Sequence, residues 1–297
     1  MILSKINRQS IDIDYKINNK IKNGKLNELL IIVPTNRKSR YLKKELISFS
    51  PNGSTAKINI ETIGTYSTKM LFNNFDSRSR IISEAAVSVL LKQSFQEVKL
   101  KYFSHYKKEI PAGTLERVKN VISEYKKNGI TPETIKQESQ LLEGSEKLKA
   151  EDIAEVYGTF QKKFLELGLD DIGDIYFKLN GLSQDEFTAR FRGIYPEVDL
   201  LLIHGFDEFT IPEIEIINKT ADVPGLELYL YLDYYSFNTS IFYHLDKCYS
   251  KFIAKGFLEL EDKSNSTLND FHNQIRANLF SFKEKHRITR YQNNLFS

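Results

Sequence analysis

The sequence predicts an α/β fold: a parallel β-sheet flanked by helices, with a helical block inserted between its strands. Three observations predict it. Leu29 to Val33 is a continuous apolar run ending in β-branched residues, as in a strand covered on both faces. Val198 to Ile203 is a second such run, leading into a loop and a capped helix. Between them, from about residue 95 to 190, the chain reads as helical and poor in strands. Strands alternating with helices indicate a parallel sheet with helices on its faces.

The elements follow in order. Pro34 and Thr35 end the first strand, and Thr35 can cap a helix whose inner face carries Leu42 and Leu46. Lys57 to Glu61 alternates polar and apolar residues, which predicts a short strand. Ile82, Ala85, Ala86, Val89 and Leu90 form a helical stripe. Arg117 to Lys127 predicts a helix stopped by Asn128 and Gly129. Thr131 and Pro132 start the next one, with proline at its tolerated first position. Ile153, Val156, Tyr157, Phe160 and Phe164 mark a long helix ending near Gly168. Ser183 with Glu186, and Thr210 with Glu213, are capping boxes for two more. Leu226 to Leu232 alternates as a strand, and Ile241 to Gly256 is helical.

Composition narrows the function. The 297 residues carry 42 basic and 39 acidic side chains, a formal charge of +3. A balance this mild leaves any nucleic-acid contact to local clusters. The lone cysteine, Cys248, excludes an internal disulfide or a four-cysteine metal site and reads as a core thiol. The five histidines show no metal-ligand spacing, and no nucleophile turn of the G-x-S-x-G type occurs. No apolar run is long enough to span a membrane, so a soluble cytoplasmic protein without membrane association is expected. Asp170, Asp171 and Asp174 read as helix N-terminal charge rather than metal ligands.

The stretch from Leu201 to Thr210 has the layout in which a RecA-like (P-loop NTPase-like) motor holds its Walker B acids. His204 and Gly205 stand where the magnesium-binding aspartate and the catalytic glutamate belong. No G-x-x-x-x-G-K-[ST] phosphate loop occurs in the chain, and Ile11 to Gly24 holds only one glycine, at its end. Asp207 and Glu208 lie beyond the strand, as helix N-terminal charge or as weak cation ligands. The pattern implies a motor fold without catalytic residues or bound metal. Its expected parts are residues 1–95 and 191–260 for the RecA-like domain, 96–190 for a helical insertion, and 261–297 for a polar C-terminal segment.

Several ordered segments resemble the N-terminal part of the B subunit of bacterial AddAB (RexAB-type) helicase–nucleases. They are Leu29 to Arg40, Ile60 to Thr65, Ser123 to Pro132, Asp152 to Asp174 and Val198 to Thr210. The resemblance implies an inactivated superfamily 1 helicase scaffold acting in double-strand-break end processing and recombinational repair. It implies two partners: single-stranded or end-unwound DNA, and an A subunit that supplies ATPase activity. In the family this region holds the emerging strand and scans it for a recombination hotspot. The family's 4Fe–4S cluster and magnesium belong to a downstream nuclease domain, so no cofactor is expected in this chain. Thr35, Asn36, Arg37, Arg40, Thr62 and Tyr66 are the DNA contacts implied, with Tyr66 stacking on a base.

Two alternatives stay open at this level. The cluster of Arg37, Lys38, Arg40, Lys43 and Lys44 also fits a solvated helix face. The chain as a whole also fits a structural scaffold that binds the A subunit without touching DNA. Lys99 to Lys108 interleaves aromatic and basic residues, yet Tyr102, Phe103 and Tyr106 fit the packing face of a helix better than a strand-binding surface.

Overall fold

The computed structural model describes residues 2–5, 13–49, 57–72, 80–81, 84–106, 109–234 and 239–260. The chain begins with β1 (Ile2–Ser4), α1 (Ile13–Lys22), β2 (Leu29–Val33), α2 (Asn36–Phe49), β3 (Asn59–Thr62) and α3 (Ile63–Leu71). Next come β4 (Arg80–Ile81), α4 (Glu84–Glu97), α5 (Ala112–Lys127), α6 (Pro132–Ser139), α7 (Gly144–Leu167), β5 (Leu169–Asp170), α8 (Ile172–Gly181) and α9 (Gln184–Ile194). The last are β6 (Leu200–Phe206), α10 (Ile211–Ala221), β7 (Glu227–Leu232), α11 (Thr239–Ala254) and β8 (Leu258–Leu260). Two compact units result: residues 1–63, 195–209 and 218–297 in one, and residues 64–194 and 210–217 in the other. The C-terminal segment expected at 261–297 lies outside the described residues.

The first unit holds a six-stranded sheet in the order β3-β2-β6-β7-β1-β8. β3, β2, β6 and β7 are mutually parallel, and the fold is mixed α/β, consistent with a RecA-like domain. All five residues of β2 are buried, as their apolar run requires. Leu29, Ile31 and Val33, on one face of the sheet, join Leu46, Ile60, Leu200, Leu202 and Tyr229 in one core. The sequence predicts a parallel sheet; the sheet is mostly parallel, with β1 as the exception. β1 runs antiparallel to both β7 and β8, and its end is anchored where Lys5 pairs with Asp222 at 2.7 Å. An apolar run reveals burial but not direction, and β1 has only three residues.

The chain leaves β2 toward β3 on one side and later returns to β6 on the other. The carboxyl ends of β2 and β6 therefore flank a topological switch point, where open α/β sheets leave a crevice.

The second unit is helical, with a short two-stranded sheet of β4 and β5. Leu91, Phe95, Val118, Ile122, Ile153, Phe160 and Phe164 form its core. Several predicted stops and caps stand as read. The Thr131 hydroxyl accepts the Thr134 N–H at 3.2 Å, and Ser183 and Glu186 exchange both bonds of a capping box. Gly168 ends α7 in the left-handed region. In the Thr210 box, Glu213 accepts the Thr210 N–H at 2.9 Å, while the buried Thr210 hydroxyl has no hydrogen-bond partner among the described residues.

The Lys99 to Lys108 stretch is not an α-helix in its described part. It forms turns ending in one short helical turn, Ser104–Tyr106. Phe103 is buried against Phe95, and the buried Asp152 carboxylate accepts the N–H groups of Lys101 and Phe103. Competing backbone hydrogen bonds to Asp152 replace the helical ladder.

Asp171 and Asp174 form a capping box at the start of α8. Between them sits the buried ammonium of Lys126, 2.6 Å from each, with the Phe164 ring 4.9 Å away. Gln161 donates to Asp174 at 2.7 Å. Gly173 permits the approach: a Cβ there would lie 2.6 Å from the Lys126 Cβ. Asp170 instead pairs with Lys178 at 2.5 Å. Cys248 is buried, as read from the sequence.

Candidate nucleic-acid interface

Val33 is the last residue of β2, and Pro34 cannot continue the ladder. Thr35 then caps α2: its hydroxyl accepts the Lys38 N–H at 3.2 Å and its carbonyl the Ser39 N–H at 3.0 Å. The inner face of α2 is fixed by buried Ser39, which donates to the Ile60 carbonyl at 3.2 Å, and by buried Leu46. Everything opposite them faces outward.

Thr35, Asn36, Arg37 and Arg40 are exposed on that outer side, together with Lys43 and Lys44. Among the described residues, Arg37, Arg40, Lys43 and Lys44 have no carboxylate within ion-pair distance. The first turn of α2 holds no acid. Cations there oppose the positive end of the helix dipole, at a cost of about 0.3–1 kcal/mol each. The charge is placed against helix stability, and an external anion would relieve it.

Thr62 ends β3 beside Val33, which brings it to the same rim of the sheet, half-buried. Tyr66 does not serve as read. The segment after Thr62 is the helix α3 and not a loop, and Tyr66 lies fully buried on it. A ring with no exposed face cannot stack on a base. Ile63, Tyr66 and Met70, all buried, recur at helical spacing, and that periodicity was the available signal. Sequence reasoning missed Tyr41, which is 62% exposed on the outer face of α2.

Across the switch point lie the two positions where motor acids were expected. His204 is exposed, with its ring edge-on to Tyr231 at 5.6 Å. Partial enclosure holds its imidazole below the ordinary value, with the Lys38 ammonium acting the same way and the Asp233 carboxylate opposing. Gly205 sits at φ +84° within the irregularity of β6 between Ile203 and Phe206. A side chain there would meet Lys38 and Pro34 at 3.8 Å, an ordinary contact. Its glycine is therefore a backbone requirement, since left-handed geometry strains residues that carry a Cβ. Asp207 and Glu208 are exposed beyond the strand.

Residues 10–256 match the protein family described as ADDB, N-terminal. The chain belongs to this family. The match spans both units of this ADDB-family chain, from α1 through α11, and takes in the whole outer face of α2 and the His204–Gly205 corner. No curated protein matches the chain. Among the described residues, no helix is long and apolar enough to cross a membrane.

Proposed function

We propose that this chain is the non-catalytic, DNA-holding N-terminal part of an AddB-type subunit. It works beside an ATPase A subunit in processing double-strand breaks for recombinational repair. The observation that carries the reading is the outer face of α2. Four exposed cations without carboxylate partners among the described residues line it, starting at the carboxyl rim where open α/β sheets bind ligands. Arg37 and Arg40 supply charge, and Thr35, Asn36 and Thr62 supply short polar contacts to phosphate. His204 and Gly205 supply no carboxylate for magnesium or for activating water, so ATP turnover is assigned to the A subunit.

The test is binding of a fluorescent oligothymidylate to the full chain across a salt series, read by anisotropy. The salt slope of single-strand binding is about −0.7 per phosphate contact. Replacing both Arg37 and Arg40 by Gln should then weaken binding about 25-fold at 0.1 M salt and flatten the slope by about 1.4. Unchanged affinity and slope in a folded variant would overturn the assignment of these residues. Absence of salt-dependent binding by the native chain would favour the scaffold reading instead.

A further inference from the structure

We infer that Tyr41 is the base-stacking platform of this interface, so that the outer face of α2 takes nucleic acid with unpaired, accessible bases. The inference rests on the DNA-holding reading and adds to it a residue and a strand preference. Successive helical residues turn by about 100°, so Arg37, Arg40, Tyr41 and Lys44 share one side of α2, opposite Ser39, Leu42 and Leu46. Arg37 lies one turn before Tyr41 and Lys44 one turn after it, a span of about 10 Å along the axis. Tyr41 gains little where it stands. It is 62% exposed, and among the described residues no side chain hydrogen-bonds to it or stacks on it. Tyrosine is also a mediocre helix former.

An aromatic ring flanked by cations without carboxylate partners among the described residues meets both needs of a single strand. The cations meet phosphates, and the ring takes a base face. A paired duplex keeps its base faces stacked within itself and offers the ring nothing. Phe49 is also exposed, at 63%, but it ends the helix about 12 Å further along, beyond the cationic turns.

The chain contains no tryptophan, which makes the test direct. In the full chain, Tyr41→Trp installs a single indole at the platform. Oligothymidylate should quench its emission, and an abasic deoxyribose-phosphate strand of equal length should not. Tyr41→Ala should weaken oligothymidylate binding about 10-fold, within the range of one lost base stack. It should leave abasic-strand binding unchanged, and Tyr41→Phe should behave as the native chain. Salt-dependent binding without quenching would overturn the platform while leaving the cationic interface standing. An equal loss on both strands for Tyr41→Ala would show that the residue serves the helix and not the base. Failure of the native chain to bind either strand would remove the interface itself, and the platform with it.

Discussion

Replacing Lys126 by Met tests how the helical unit is held together. Its ammonium is buried between Asp171 and Asp174, at 2.6 Å from each. Removing one partner of a buried ion pair costs about 3–5 kcal/mol, because the other charge is left uncompensated. The Asp174 side chain is 9% exposed and that of Asp171 28%, so Asp171 keeps part of its hydration. The expected cost is therefore near the lower end, about 3 kcal/mol at neutral pH. With an m-value of about 2–3 kcal/mol per molar, the urea midpoint should fall by roughly 1 M. Hydrogen exchange at α8 amides, read alongside, would place the loss in this unit. The pH dependence has a definite sign. Burial raises the Asp174 pKa, but the Lys126 charge and hydrogen bonds from Lys126, Gln161 and the Asp171 amide outweigh it and hold the group below its ordinary value. Its stabilisation is present above the unfolded carboxylate range and is lost as pH falls through the lower folded value. Without Lys126 the carboxylates gain by protonation, so the gap between variant and native chain should narrow from pH 7 toward pH 4. A cost under about 1 kcal/mol, or one indifferent to pH, would refute this account.

Two further outcomes follow from the carboxyl rim of the sheet. Gly205→Ala should cost about 1–2 kcal/mol from backbone strain alone, since a Cβ there makes only ordinary contacts. An alanine variant as stable as the native chain in urea would count against this. NMR titration should place the His204 midpoint below the ordinary 6.5, with Lys38→Gln moving it up and bound oligonucleotide moving it up further. A midpoint at or above 6.5 in the native chain contradicts the local electrostatics described.

Much of the architecture was legible because its signals are local. Thr131, Ser183 with Glu186, and Gly168 act within a few residues of themselves, so their caps and stops could be read directly. Strands β2, β6 and β7 announced themselves by apolar content. β1 and β8, each three residues long, did not, because strands that short carry no period. The direction of β1 depends on pairing with Tyr231 and Leu260, more than two hundred residues away in sequence, and no local pattern encodes it. At the interface, the cations and Thr35 were visible as composition. Which aromatic faces outward was not, because the family resemblance implies Tyr66 as the stacking ring while its helical spacing with Ile63 and Met70 points inward. The burial of Lys126 is not encoded locally, because it depends on the close approach of α8 at Gly173, forty-seven residues on.

The reversed polarity of β1 bears on the proposal that ATP turnover is left to the A subunit. β1 delivers the chain to the rim where β7 and β8 begin, as the Lys5–Asp222 pair shows, and Lys16 of α1 pairs with Glu227 at the start of β7. His204 and Gly205 lie at the other rim. Glycines and a lysine engineered just after β1 would arrive a full strand length from the corner where metal and water would have to be managed. On the proposed non-catalytic reading, the lack of turnover is written into the path of the backbone, and exchanging side chains would not undo it.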